Sequence, residues 1–191
     1  MLTLRPGQRW RALTAGETAM AARLFGDAID YAAVRIYNRR YLPFGLQPKN
    51  CAMTPNGAMY FHKSCCMPDF TAGGEHAIHW FMHEMVHIWQ HQLGYPVRLR
   101  GAVRLGLSYR YVLAQDKRLS DYNMEAQGDL LADYFALRHL GCVASMRQPG
   151  YASALPMYEQ VLSDFLANPA SRENLPNGIV HRLRRVKAAS G

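Results

Sequence analysis

Residues 83–87 read His83-Glu84-Met85-Val86-His87. They lie inside a stretch, residues 75–93, whose apolar positions Ile78, Phe81, Met82, Met85 and Trp89 recur at helical spacing before Gly94 and Pro96 end it. Residues four apart are neighbours on a helix, so both imidazoles project from one face and can take two corners of a tetrahedral zinc site. Two ligands do not close such a site, so the pattern demands a fold in which another segment brings a third donor to that face. Glu84 follows the first histidine directly and stands beside the metal instead of pointing at it. A carboxylate there can take a proton from a water that the metal has acidified. With 8 His in 191 residues, a shuffled chain yields such a motif only about 0.01 times, which makes two merely packed histidines the weaker account.

The best third donor is Glu125, in Tyr122-Asn123-Met124-Glu125-Ala126-Gln127-Gly128-Asp129, on a second predicted helix over residues 122–140 that Gly141 stops. Glu125 and Asp129 share a face of that helix, so one can bind metal while the other accepts the free N–H of a ligand histidine. Asp133 continues the stripe and reads as a solvated or helix-pairing charge. His79, His83, His87 and His91 also share a face, which makes His91 the rival third ligand, although it stands a full turn beyond the motif, about 6 Å along the axis. His79 and His91 read more readily as rim or supporting groups. The oxyanion formed during hydrolysis needs a donor across the cleft. Tyr109, Tyr111 and His181 are the candidates, with Tyr111 first. Trp80, Trp89, Tyr134 and Phe135 are read as core.

The rest of the chain frames these two helices. Residues 15–40 have the apolar spacing of a helix, and Pro55-Asn56-Gly57 between two short apolar runs predicts a hairpin with strands over residues 51–54 and 58–62. Residues 95–120 hold a hairpin or an irregular loop, and residues 157–167 a further helix. The expected architecture is α+β: one domain over residues 1–191, with a small antiparallel sheet, the motif helix, and the helix carrying the third ligand. With 49% apolar and 19% charged residues the chain can build a packed core. The first residues, MLTLRPGQRW, lack the unbroken apolar run of a secretory signal, and no stretch is apolar enough to span a membrane. Synthesis in the cytoplasm is the expectation, with a specialised route needed for action elsewhere. The 4 cysteines lack CxxC spacing and read as free thiols. The net charge of +8 suits an anionic partner. Even so, the basic run from Arg182 to Lys187 has no interleaved aromatics, so nucleic-acid binding is not the expectation.

The pattern of His83, Glu84 and His87 followed by Glu125 and Asp129 on a later helix resembles the gluzincin metallopeptidases. That resemblance implies a zincin-like fold with His83, His87 and Glu125 as zinc ligands, Glu84 as general base and Asp129 as the partner of His83. It also implies that the strand over residues 58–62 runs along the cleft and pairs with an extended peptide substrate. The gap from His87 to Glu125 is longer than usual for that group. More narrowly, FGLQPKN, AMTPNGAMYF, FMHEMVHIWQHQ and YNMEAQGDLLADYF resemble Vgr-related proteins and the metallopeptidase domains attached to type VI secretion spike proteins. That resemblance implies an antibacterial effector that cuts protein or cell-wall peptide, travels with a secretion spike protein and is opposed by an immunity protein. The rival reading is a non-catalytic adaptor of the secretion apparatus with a structural zinc. Such a site closes its fourth position with protein and has no use for an uncoordinated base such as Glu84.

Overall fold

In the computed structural model, residues 10–103 and 107–177 are described. The fold is α+β. A three-stranded sheet is built from β1 (Trp10–Arg11), β2 (Arg35–Asn38) and β3 (Ala58–Phe61) in that spatial order. The helices are α1 (Ala15–Phe25), α2 (Glu75–Gln92), α3 (Val97–Val103), α4 (Met124–Phe135), α5 (Leu155–Val161) and α6 (Ser163–Ala167). Among the described residues no helix is long and apolar enough to cross a membrane.

The helix expected over residues 15–40 ends early. α1 opens on a capping box in which Thr14 Oγ1 accepts from the Glu17 N–H and the Glu17 carboxylate accepts from the Thr14 N–H. It stops at Gly26, which takes φ +56°, a region open to glycine. Beyond it, Val34 and Ile36 are buried while Arg35 and Tyr37 are half-buried. That period of two, on β-branched residues, belongs to β2 and not to a helix. The sheet is mixed, not antiparallel: β1 and β2 are antiparallel, but β2 and β3 run parallel, with Ile36 opposite Met59. Residues 39–57 form the crossover that parallel pairing requires. The expected hairpin survives only as a bridge between Met53 and Tyr60, joined by two main-chain hydrogen bonds of 3.2 and 2.9 Å.

α2 is buried on every side from Phe81 to Gln90, the condition of a helix through the middle of a core. Phe25, Trp89 and Phe165 form an edge-to-face cluster on one flank. Phe70, Phe81 and Phe61 pack on another. α4 is buried almost as completely, with Ala126 to Phe135 all inside. Polar side chains on such helices must be satisfied by one another, and this requirement sets the register between the two.

Candidate metal centre

The pairing forms a ladder. His79 meets Asp133 at 2.7 Å, His83 meets Asp129 at 2.8 Å, and His87 meets Glu125 at 3.3 Å. Each step of four residues along α2 is matched by four residues back along α4, the mark of an antiparallel helix pair. The lowest rungs converge. His83 Nε2 and His87 Nε2 lie 3.2 Å apart, and Glu125 Oε2 is 3.3 Å from each. A tetrahedron drawn around an ion with ligand bonds of ~2.0 Å has edges of ~3.3 Å. Three donors therefore already outline one face of such a tetrahedron. His83, His87 and Glu125 form the group capable of holding a metal among the described residues.

Hydrogen bonding behind the imidazoles fixes which nitrogen faces the centre. The Nδ1 of His83 donates to Asp129 Oδ1, since a carboxylate only accepts. The Nδ1 of His87 donates 2.9 Å to Gln90 Oε1, whose amide orientation is fixed by Nε2 donating to Gln127 Oε1 at 2.9 Å and to the Met124 carbonyl at 3.2 Å. In the neutral rings both Nε2 lone pairs, together with a carboxylate oxygen, then point at one buried spot. That arrangement is repulsive unless a cation or a proton sits there. The electrostatics agree. Burial opposes charge on His83, but its hydrogen bonds to the Asp129 and Glu125 carboxylates and the nearby Glu84 outweigh it and raise the imidazole to about 10. Burial likewise opposes charge on His87, which Glu125 outweighs, raising it. Burial would raise Glu125, yet His87 and His83 hold it well below the usual carboxylate range.

Gln90 is fully buried, as is Gln127, whose Nε2 donates to the Leu119 and Asn174 carbonyls. Gln90→Leu strands the His87 Nδ1–H and the Gln127 oxygen. The expected result is a loss of about 1–3 kcal/mol of stability and of about 10–100-fold in metal affinity. Thermal unfolding and a chelator-competition titration measure the two, and unchanged affinity would remove Gln90 from the support of the site.

Glu84 does not join the triangle. It is 5% exposed, borders a cavity of about 400 Å³ over His83, and its Oε2 accepts from Thr54 Oγ1 at 2.5 Å. Of the expected oxyanion donors, Tyr109 is the one at the cleft: its ring stacks on His83 with centroids 6.0 Å apart. Tyr111 is 3% exposed, and its hydroxyl donates to Asp133 and meets Tyr158 in a buried knot. Burial, Asp133 and Tyr158 push its phenol up, so it stays a structural donor. His181 lies outside the described residues. His91 is exposed, packed against the Gly57 turn, and contributes nothing to the triangle. Asp133 is fully buried and pairs the helices, so the solvated alternative fails. β3 is buried along its whole length, and its outer edge takes Met53. The backbone beside the cleft is therefore residues 50–52, not β3 itself.

No known family model matches the chain. It is 39% identical over 162 residues to the type VI secretion system spike protein VgrG2b of Pseudomonas aeruginosa, covering 81% of this chain but 15% of that protein. Among solved structures it is similar to the effector domain of Pseudomonas aeruginosa VgrG2b, with a TM-score of 0.62 and 39% identity over 74% of this chain and 82% of that domain. Identity at that level, sustained over most of both chains, extends beyond the metal-site motif to the fold around it. The chain belongs to the family of the VgrG2b effector domain.

Proposed function

We propose that this chain is a zinc-dependent metallopeptidase that hydrolyses peptide or amide bonds as an effector delivered by type VI secretion. The observation that carries the reading is the triangle of His83 Nε2, His87 Nε2 and Glu125 Oε2, with sides of 3.2–3.3 Å, of which His83 lines a cavity that Glu84 also borders. Bound zinc would supply a Lewis acid that polarises the scissile carbonyl and brings the pKa of a water towards about 7. The chain's own residues do the rest. Glu84 accepts the proton of the attacking water at the oxygen that Thr54 leaves free, then passes it to the leaving amine. Asp129 and Gln90 keep both imidazoles in the tautomer that presents Nε2. Tyr109 donates to the developing oxyanion. Met53 spends its main-chain N–H and C=O on Tyr60, and the neighbouring residues 50–52 line the cleft, where an extended substrate can pair.

Delivery by a secretion spike is supported by membership of the effector-domain family; an immunity partner and a protein or cell-wall peptide substrate belong to the same proposal. The adaptor reading is weaker. A structural zinc site is closed by a fourth protein ligand, and among the described residues three donors converge.

Metal analysis by plasma mass spectrometry, paired with a peptide-digestion assay, tests the proposal. One zinc per chain is expected in the wild type, with occupancy and hydrolysis both lost in Glu125→Ala. A wild type that takes up no zinc on reconstitution would end the hydrolase reading. Full zinc occupancy in Glu125→Ala would place the third ligand elsewhere.

A further inference from the structure

The cavity over the metal centre does not end at Tyr109. Tyr109, Asp129 and Arg147 also line a second cavity of about 710 Å³, which continues past Arg110, Gln148 and Tyr151. Its wall holds two guanidinium groups and one carboxylate, Asp129, whose Oδ1 is already committed to His83. Arg147 Nε stands 3.9 Å from the other Asp129 oxygen, too far for a hydrogen bond. Among the described residues no carboxylate lies within ion-pair distance of Arg110.

Arg147 is also held in a way that surface arginines usually are not. Its main-chain N–H donates 2.6 Å to Asp133 Oδ1, and the next N–H, of Gln148, donates 3.0 Å to Oδ2. Gln148 Nε2 adds a 3.0 Å bond to the Tyr111 carbonyl. Asp133 is fully buried and takes His79 and Tyr111 as well. The buried carboxylate thus anchors the base of Arg147, while its side chain remains 68% exposed at the junction of the two cavities. A fixed base reduces the freedom lost when the guanidinium fork closes on a ligand. The ligand that such a fork matches in two parallel hydrogen bonds is a carboxylate.

We propose that Arg147, with Arg110 behind it, forms a carboxylate-recognising subsite that selects substrates bearing an acidic group beside the cleaved bond. His83 and Arg147 approach the same Asp129 carboxylate, at 2.8 and 3.9 Å, and an extended chain advances ~3.3–3.6 Å per residue, which puts the acidic group within a few residues of the scissile carbonyl. The same chemistry is offered by a Glu or Asp side chain and by a free α-carboxylate. This inference rests on the peptidase reading above.

The test uses the zinc-loaded full chain and matched short peptides that differ only near the cleaved bond: Glu, Gln or Lys at the flanking positions, each with a free or an amidated C-terminus. Wild type is expected to favour Glu over Gln by about tenfold in kcat/KM. The ratio should fall below about twofold in Arg147→Ala and turn towards Lys in Arg147→Glu. A preference that survives amidation assigns the site to side chains; one that disappears assigns it to the terminal carboxylate. Equal cleavage of Glu and Gln peptides by wild type, or a preference unchanged in Arg147→Ala, would overturn the subsite. Binding of the same peptides to zinc-loaded Glu84→Gln, followed by calorimetry, separates the two readings. If no peptide is cut, tighter binding of the acidic peptides that Arg147→Ala removes still supports the subsite while the peptidase reading fails. Equal binding would reject it.

Discussion

Glu84→Gln is expected to keep one zinc per chain and to lower peptide hydrolysis by about 10²–10⁴-fold, the usual contribution of a positioned general base. The substitution changes almost nothing else. Glutamine has the same shape, and its Oε1 can still accept from Thr54 Oγ1, which now bonds Glu84 Oε2 at 2.5 Å. What turns towards the attacking water is then an amide NH₂, which donates and cannot take a proton. The three candidate donors lie outside this change, because His83, His87 and Glu125 form the triangle and Glu84 contributes no atom to it. Metal content and hydrolysis therefore separate. Activity within tenfold of wild type would remove Glu84 as base, and loss of zinc would move it into the ligand set. A non-catalytic adaptor would show no hydrolysis to lose.

How much of this could be read from the sequence depended on the distance over which each feature is specified. The two histidines and Glu84 were legible because helix geometry alone places them, and Glu125 and Asp129 because their spacing of four repeats the logic on the partner helix. Asp133 has the same spacing, yet its burial depends on His79, 54 residues away, and a charge on a helix carries no mark of whether its partner is water or protein. Gln90 and Gln127 were missed because a neutral amide belongs to no ligand motif; their role appears only once α2 and α4 are packed. Tyr111 and Tyr109 could not be told apart for a simpler reason. Two residues in an extended segment can both be aromatic, and only the tertiary fold decides that Tyr109 lies over His83 while Tyr111 turns into the Asp133 knot. The overlong first helix failed at Gly26, beyond which Ile29 and Ile36, seven apart, fit a helical face while Val34 and Ile36, two apart, fit a strand. The expected hairpin failed because β3 found a parallel partner in β2, and strand pairing across a crossover leaves no local signature.

Gly128→Ala separates a purely helical view of α4 from one in which α4 is shaped around the metal site, because the two give opposite signs. Gly128 sits inside α4, where replacing glycine by alanine stabilises an ordinary helix by about 1 kcal/mol. Here the added Cβ would lie 2.6 Å from Cε1, 2.8 Å from Nδ1 and 3.0 Å from Nε2 of His83. Those atoms belong to a 7% exposed ring held at one edge by Asp129 and facing Glu125 at the other. The ring cannot retreat without breaking the Asp129 bond or leaving the triangle, and α4 cannot retreat without separating the other rungs of the ladder. Overpacking of this kind costs about 1–3 kcal/mol, which exceeds the helical gain, so a net loss of stability is expected in the metal-free protein. Displacing one of three ligands should lower zinc affinity by at least the ~10–100-fold seen when a ligand's support is removed, and hydrolysis should fall with occupancy. Thermal unfolding of the metal-free protein and chelator competition measure both effects. A variant that is more stable and binds zinc as the wild type does would show that His83 has another place to stand, and that the close approach of α4 is not what fixes the site.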